Sequence, residues 1–137
     1  MASRLNPYLN FPGTARAAMT FYQQVFGGDL VLTPFSEFSP EPVPFGDNIM
    51  HGQLETPSGY TLMGSDGAPG VEVRPGNNFH VSISGDDAEE LRDRFAKLAE
   101  GGTITTALEK QMWGDEFGAL TDKFGIDWIF NITPAQA

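Results

Sequence analysis

Hydrophobic and polar positions change their period several times along the chain, and each change marks an element. Pro7-Tyr8-Leu9-Asn10-Phe11 is stopped by Pro12-Gly13 and predicts a short strand. From Thr14 the apolar residues Ala15, Ala18, Met19, Tyr22, Val25 and Phe26 recur at helical steps, giving one buried face. Gly27-Gly28 ends that helix, because glycine takes the left-handed conformation past a helix end without a Cβ clash. Asp29 to Phe38 is rich in strand formers, with Pro34 confining part of it to an edge or bulge. Ser39 to Asp47 carries Pro40, Pro42, Pro44 and Gly46 and predicts a loop. Asn48 to Thr56 alternates again, with Met50, Gly52 and Leu54 on one side and His51, Gln53 and Glu55 on the other. Pro57-Ser58-Gly59 turns the chain, and Tyr60 to Ser65 returns as the hairpin partner.

The second half repeats this order. Phe79-His80-Val81-Ser82-Ile83-Ser84 follows the Gly/Pro/Asn-rich loop from Pro69 to Asn78. Its strict alternation predicts a strand with His80 at the head of its polar face. Asp87 with Glu90 three residues on resembles a helix-capping pair, and Ala88, Leu91, Phe95 and Leu98 make the buried stripe. Asp86, Asp87, Glu89 and Glu90 read as the solvated first turn of that helix, complementing its dipole. Gly101-Gly102 closes it. Thr103 to Leu108, Gly118 to Thr121 and Ile126 to Ile132 supply three more strands, the last pair joined by the turn Asp122-Lys123-Phe124-Gly125. The two β-α-β-β-β units, about 7–65 and 78–133, form an internal repeat of order and spacing without strong residue identity.

The 137 residues suit one compact domain, and 40% hydrophobic content is enough for a core. Eight basic residues against eighteen acidic ones leave a net charge of −10. That excess repels phosphate backbones and anionic lipids, so nucleic acid and membrane are not expected partners, whereas a cationic or neutral small ligand is compatible. The absence of cysteine removes disulfides, thiol catalysis and thiolate metal sites. No signal-peptide pattern or long apolar run is present, and a cytoplasmic location is expected.

Several stretches, taken in order, carry a resemblance: Pro7-Tyr8-Leu9-Asn10-Phe11, Phe21-Tyr22-Gln23-Gln24-Val25-Phe26-Gly27-Gly28, Trp113-Gly114-Asp115-Glu116-Phe117-Gly118, and Thr121 through Asn131. Across Asn6 to Ile132 the chain resembles the glyoxalase, bleomycin-resistance and extradiol-dioxygenase group, the vicinal oxygen chelate superfamily, and within it the PhnB-like branch. The resemblance implies an α+β fold of two βαβββ modules whose curled mixed sheets enclose a cavity, helices outside, often in a homodimer. It does not imply one reaction, since the fold hosts isomerases, lyases, dioxygenases, metal-bound transferases and proteins that only sequester a drug.

With helices outside, polar alternates face the cavity. His51, Gln53 and Glu55, then Thr61 and Met63, then His80, Ser82 and Ser84, then Ile129 and Asn131 would line it, while Val81, Ile83, Trp128 and Phe130 join the core. Metal-dependent members take one ligand from each of four strands. The resemblance places His80 on one of those positions, and Pro7, Met63 and Ile129 on the others. None of these three binds a divalent cation as His or Glu does, so no cofactor is expected at the usual place. An alternative set of His51, His80 and Glu55, with Asn131 as a further oxygen donor, would hold Zn, Ni, Mn or Fe elsewhere. His51 and His80 read equally as hydrogen-bonded pocket residues switching near neutral pH, and His80 as a metal-free general base.

By the same resemblance Trp113 can stack on a flat ligand and Asp115 hold a cation or donor; the alternatives are a core cap and a turn-ordering carboxylate. The ligand-binding candidates are thus His51, Gln53, Met63, His80, Ser82, Trp113, Asp115 and Asn131. Phe35, Phe38 and Phe45 suit an apolar lid or a dimer contact. No phosphate loop, dinucleotide fingerprint or glycine-rich S-adenosylmethionine site is present, so nucleotide cofactors and the methyltransferase activity sometimes attached to PhnB-like sequences are not expected.

Overall fold

The computed structural model describes residues 3–38, 44–68 and 70–134. They form two compact units, Met1–Arg74 and Pro75–Ala137.

In the first unit β1 (Tyr8–Phe11) leads into α1 (Ala15–Phe26), β2 (Asp29–Pro34), a single 3-10 turn (Phe35–Phe38), β3 (Ile49–Glu55) and β4 (Thr61–Asp66). The sheet order is β1-β4-β3-β2, with β1 parallel to β4 and the other pairs antiparallel. The predicted helical face is buried throughout: Ala15, Ala18, Met19, Tyr22, Val25 and Phe26, joined by Phe21. Met19 lies over two glycines, Gly52 and Gly64. A Cβ on Gly64 would sit 3.1 Å from its sulfur, so the helix seats only because that position is bare. Pro34 closes an edge strand beside a bulge, as its missing N–H requires. That bulge corrects one detail: Thr33 pairs with His51 and Pro34 with Ile49, so Met50 is the extra residue and Ile49 takes the fully buried place. Phe35 packs edge-on against Phe45, while Phe38 is exposed. The rest of the predicted proline-rich loop, 39–43, lies outside the described residues.

In the second unit β5 (Val81–Gly85) leads into α2 (Ala88–Ala99), β6 (Thr103–Lys110), β7 (Glu116–Thr121) and β8 (Asp127–Ile132), in the order β5-β8-β7-β6. Its topology is that of the first sheet, confirming the repeat. Leu91, Phe95 and Leu98 of α2 are buried with Trp128, Phe130 and Ile83, and Phe95 meets Phe130 edge-on with ring centroids 5.3 Å apart. Val81 is half-buried.

Three expectations are corrected here. The strand begins at Val81, so Phe79 and His80 precede it, both exposed. Asp87 occupies the N-cap position but makes no side-chain capping bond, and Glu90 pairs instead with Arg94 one turn on. The last two strands of the hairpin run from Glu116 and Asp127, with β6 extending to Lys110. Among the described residues no helix is long and apolar enough to cross a membrane.

Candidate functional site

In the first sheet, the face turned away from α1 carries side chains linked into one chain of hydrogen bonds. The register aligns Tyr8 with Met63 and Met63 with Gln53, and alternation adds His51, Glu55 and Thr61 to the same face. The Tyr8 hydroxyl lies 3.1 Å from His51 Nδ1, and His51 Nε2 lies 3.3 Å from Gln53 Oε1. The Gln53 amide donates to Glu55 Oε1 over 2.6 Å, the Thr61 hydroxyl to Glu55 Oε2 over 2.6 Å, and Arg4 adds a guanidinium contact at 3.3 Å.

The polarity of this chain is set from its carboxylate end. Glu55 accepts only, so Gln53 must offer its NH₂ there and its oxygen to His51. His51 Nε2 is then the protonated nitrogen, and in the neutral ring Nδ1 accepts from the Tyr8 hydroxyl. The Thr61 hydroxyl first, then the Gln53 amide and Arg4, hold the Glu55 carboxyl below its ordinary value. The Tyr8 oxygen keeps lone pairs to accept with, while Glu55 is already engaged by Thr61, Gln53 and Arg4.

Sequence reasoning brought His51, Gln53 and Met63 together, and the structure does so. It missed Tyr8 and Arg4 as members. Tyr8 was recoverable, because alternation in β1 sends Leu9 and Phe11 to the core and Tyr8 the other way.

In the second unit the register sets Ser82 beside Ile129 and Ser84 beside Asn131, on the face opposite the buried Ile83 and Phe130. Asn131 donates to Asp115 over 3.0 Å, joining two of the candidates. Trp113 is exposed, which removes its reading as a core cap. His80 stands exposed ahead of β5, outside the ladder that aligns Ser82 and Ser84. Among the described residues no three His, Asp or Glu side chains stand close enough together to hold a metal ion.

The glyoxalase/bleomycin resistance protein/dioxygenase superfamily model matches residues 4–130. Protein YjdN of Escherichia coli is 29% identical over 144 residues, spanning 96% of this chain and 97% of its own. The crystal structure of protein PA1353 from Pseudomonas aeruginosa superposes with a TM-score of 0.86 at 36% identity, covering 98% of this chain and all of that one. A PhnB protein from Bacillus cereus follows at 25% identity and a TM-score of 0.72, covering 96% of this chain and all of its own.

Proposed function

Because the chain belongs to the glyoxalase/bleomycin resistance protein/dioxygenase superfamily, we propose that it binds a cationic or neutral small molecule, without the metal its catalytic relatives use. The binding groups are Tyr8, His51, Gln53 and Met63 on the first sheet; within the second unit, described by itself, the candidates are Ser82, Asn131, Asp115, Trp113 and His80. The observation that carries this reading is the directed chain from Tyr8 to Glu55, which fixes side chains in one orientation and leaves the Tyr8 oxygen as an acceptor for a ligand. A ligand bearing N–H or ammonium groups complements it, and the net charge of −10 favours the same class. Met63 adds the adaptable apolar contact such a site needs. Superfamily membership selects no reaction, which is why binding alone is proposed.

The proposal includes assembly as a homodimer. Phe79 and Ile104 are exposed apolar side chains of the second unit that a second copy would cover. Light scattering should give twice 14.9 kDa.

A thermal-shift screen of cationic aromatic compounds and bleomycin, the drug in the superfamily's name, tests the reading. At a hundredfold its dissociation constant a ligand stabilises the fold by about 2.7 kcal/mol. The response should fall at least about tenfold in affinity in Tyr8→Phe and His51→Ala, the loss of one directed bond. No stabilisation by any compound overturns the proposal. Stoichiometric Zn, Ni, Mn or Fe in protein prepared without chelator, lost in His80→Ala, overturns its metal-free part.

A further inference from the structure

On the helix side of the second sheet, a cleft of about 460 Å³ opens where the start of α2 meets the ends of β6 and β8 and the start of β7. That volume lies within the range of small-molecule sites, roughly 300–1,000 Å³. Asp86, Arg92, Lys110 and Glu116 line it, beside Ile132 and Gly114. Arg92 and Glu116 engage each other through two hydrogen bonds. Each holds the other in its charged form, the guanidinium pushed up and the carboxyl pulled down. Lys110 and Asp86 complete the lining with one charge of each sign.

The internal repeat gives this corner a counterpart in the first unit. Asp66 and Ile132 hold the same place, as the last residues of β4 and β8, paired with Phe11 and Gly85 at the ends of the neighbouring parallel strands. In the first unit the Asp66 carboxylate fills this corner. It is 3% exposed and accepts from the N–H of Ala15, first in α1, at 2.9 Å and from that of Ile49, first in β3, at 2.8 Å. In the second unit the buried Ile132 side chain takes that place, and Ala88, first in α2, borders the cleft.

We propose that this cleft binds a small zwitterion of the amino-acid class, its carboxylate held by Lys110 and its ammonium by Asp86. A simple anion would meet the carboxylates of Asp86 and Glu116, and a simple cation would meet Lys110 and Arg92. A zwitterion satisfies both signs in a lining of zero net charge. The site lies on the helix side of its sheet and does not rest on the binding face proposed above.

Calorimetric titration of the full chain with the twenty amino acids tests it, followed by the amine and the carboxylic acid that correspond to the best binder. Saturable binding is expected, with each half-ligand weaker by at least about tenfold, the loss of roughly one ion pair. Lys110→Gln and Asp86→Asn, both at exposed positions, should each weaken binding by about tenfold with the circular dichroism unchanged, while Tyr8→Phe leaves it intact. The proposal is overturned if no amino acid saturates up to about 10 mM, beyond the millimolar end of the affinity scale. Equal binding by the amine or the acid, or unchanged affinity in both cleft variants, overturns it as well.

Discussion

Glu55 closes a line of donors, and its acidity follows from them. Because Thr61, Gln53 and Arg4 lower its folded value below the ordinary 4.5, the bonds it accepts contribute fully above that pH. They are lost as pH falls through the lowered value. The stability gap between wild type and Glu55→Gln, measured by urea unfolding, should therefore be constant near neutrality and shrink on acidification below about pH 4.5. Gly28 gives a second test. It has φ +106°, and a Cβ there would lie 2.1 Å from the Glu55 carbonyl oxygen, whereas Gly13, at φ +94°, has open space around it. Gly13→Ala should cost about 1 kcal/mol of backbone strain alone, and Gly28→Ala about 3 kcal/mol or more. Equal costs would mean that the close approach to Glu55 does not constrain the turn.

Among the elements, α2 separates packing from capping. Phe95 lies edge-on to Phe130 and within 3.0 Å of where a Gly118 Cβ would be, so Phe95→Ala should cost about 3–5 kcal/mol. Asp87 makes no side-chain cap bond, so Asp87→Ala should cost well under the roughly 1 kcal/mol typical of an N-cap, by the same denaturation assay. The helical stripes were legible because burial of one helix face leaves a period in the chain itself. The start of β5 was not. Alternation through Phe79 and His80 is a property of the segment, but pairing needs a neighbour, and the ladder with β8 runs from Val81 opposite Trp128. The bulge expected at Pro34 is there, but that Met50 is its extra residue escaped for the same reason, since it depends on how β2 pairs with β3.

Across the molecule the repeat goes deeper than order and spacing. Gly28 presses on the carbonyl of Glu55 as Gly102 presses on that of Thr121, and a Cβ at either would lie within 2.3 Å of that oxygen. The Thr56 side chain accepts from the N–H of Tyr60 as the Asp122 side chain accepts from that of Ile126, each turn closing on a positive-φ glycine, Gly59 or Gly125. Thr61 donates to Glu55, and Thr121 to Asp127, at the same rung of each hairpin with the roles exchanged. Residue identity hides this, because threonine and aspartate share only an oxygen acceptor. Eighteen acidic residues against eight basic ones also act on the whole chain. Salt shortens the range of their repulsion, so Tm should rise by roughly a few degrees between about 0.01 M and 0.3 M NaCl, as scanning calorimetry would show.

β6 stands at the open end of its sheet, eight residues long, with seven of them exposed. An uninterrupted ribbon of that length would invite the same ribbon of another molecule to stack beside it. Its ladder with β7 slips twice, between Ile104 and Thr106 and between Thr106 and Glu109, and each slip bends the free amides out of line. Deleting Thr105 to remove the first slip should quicken thioflavin-positive fibre growth under agitation, which would identify that irregularity as part of the chain's guard against self-templated aggregation.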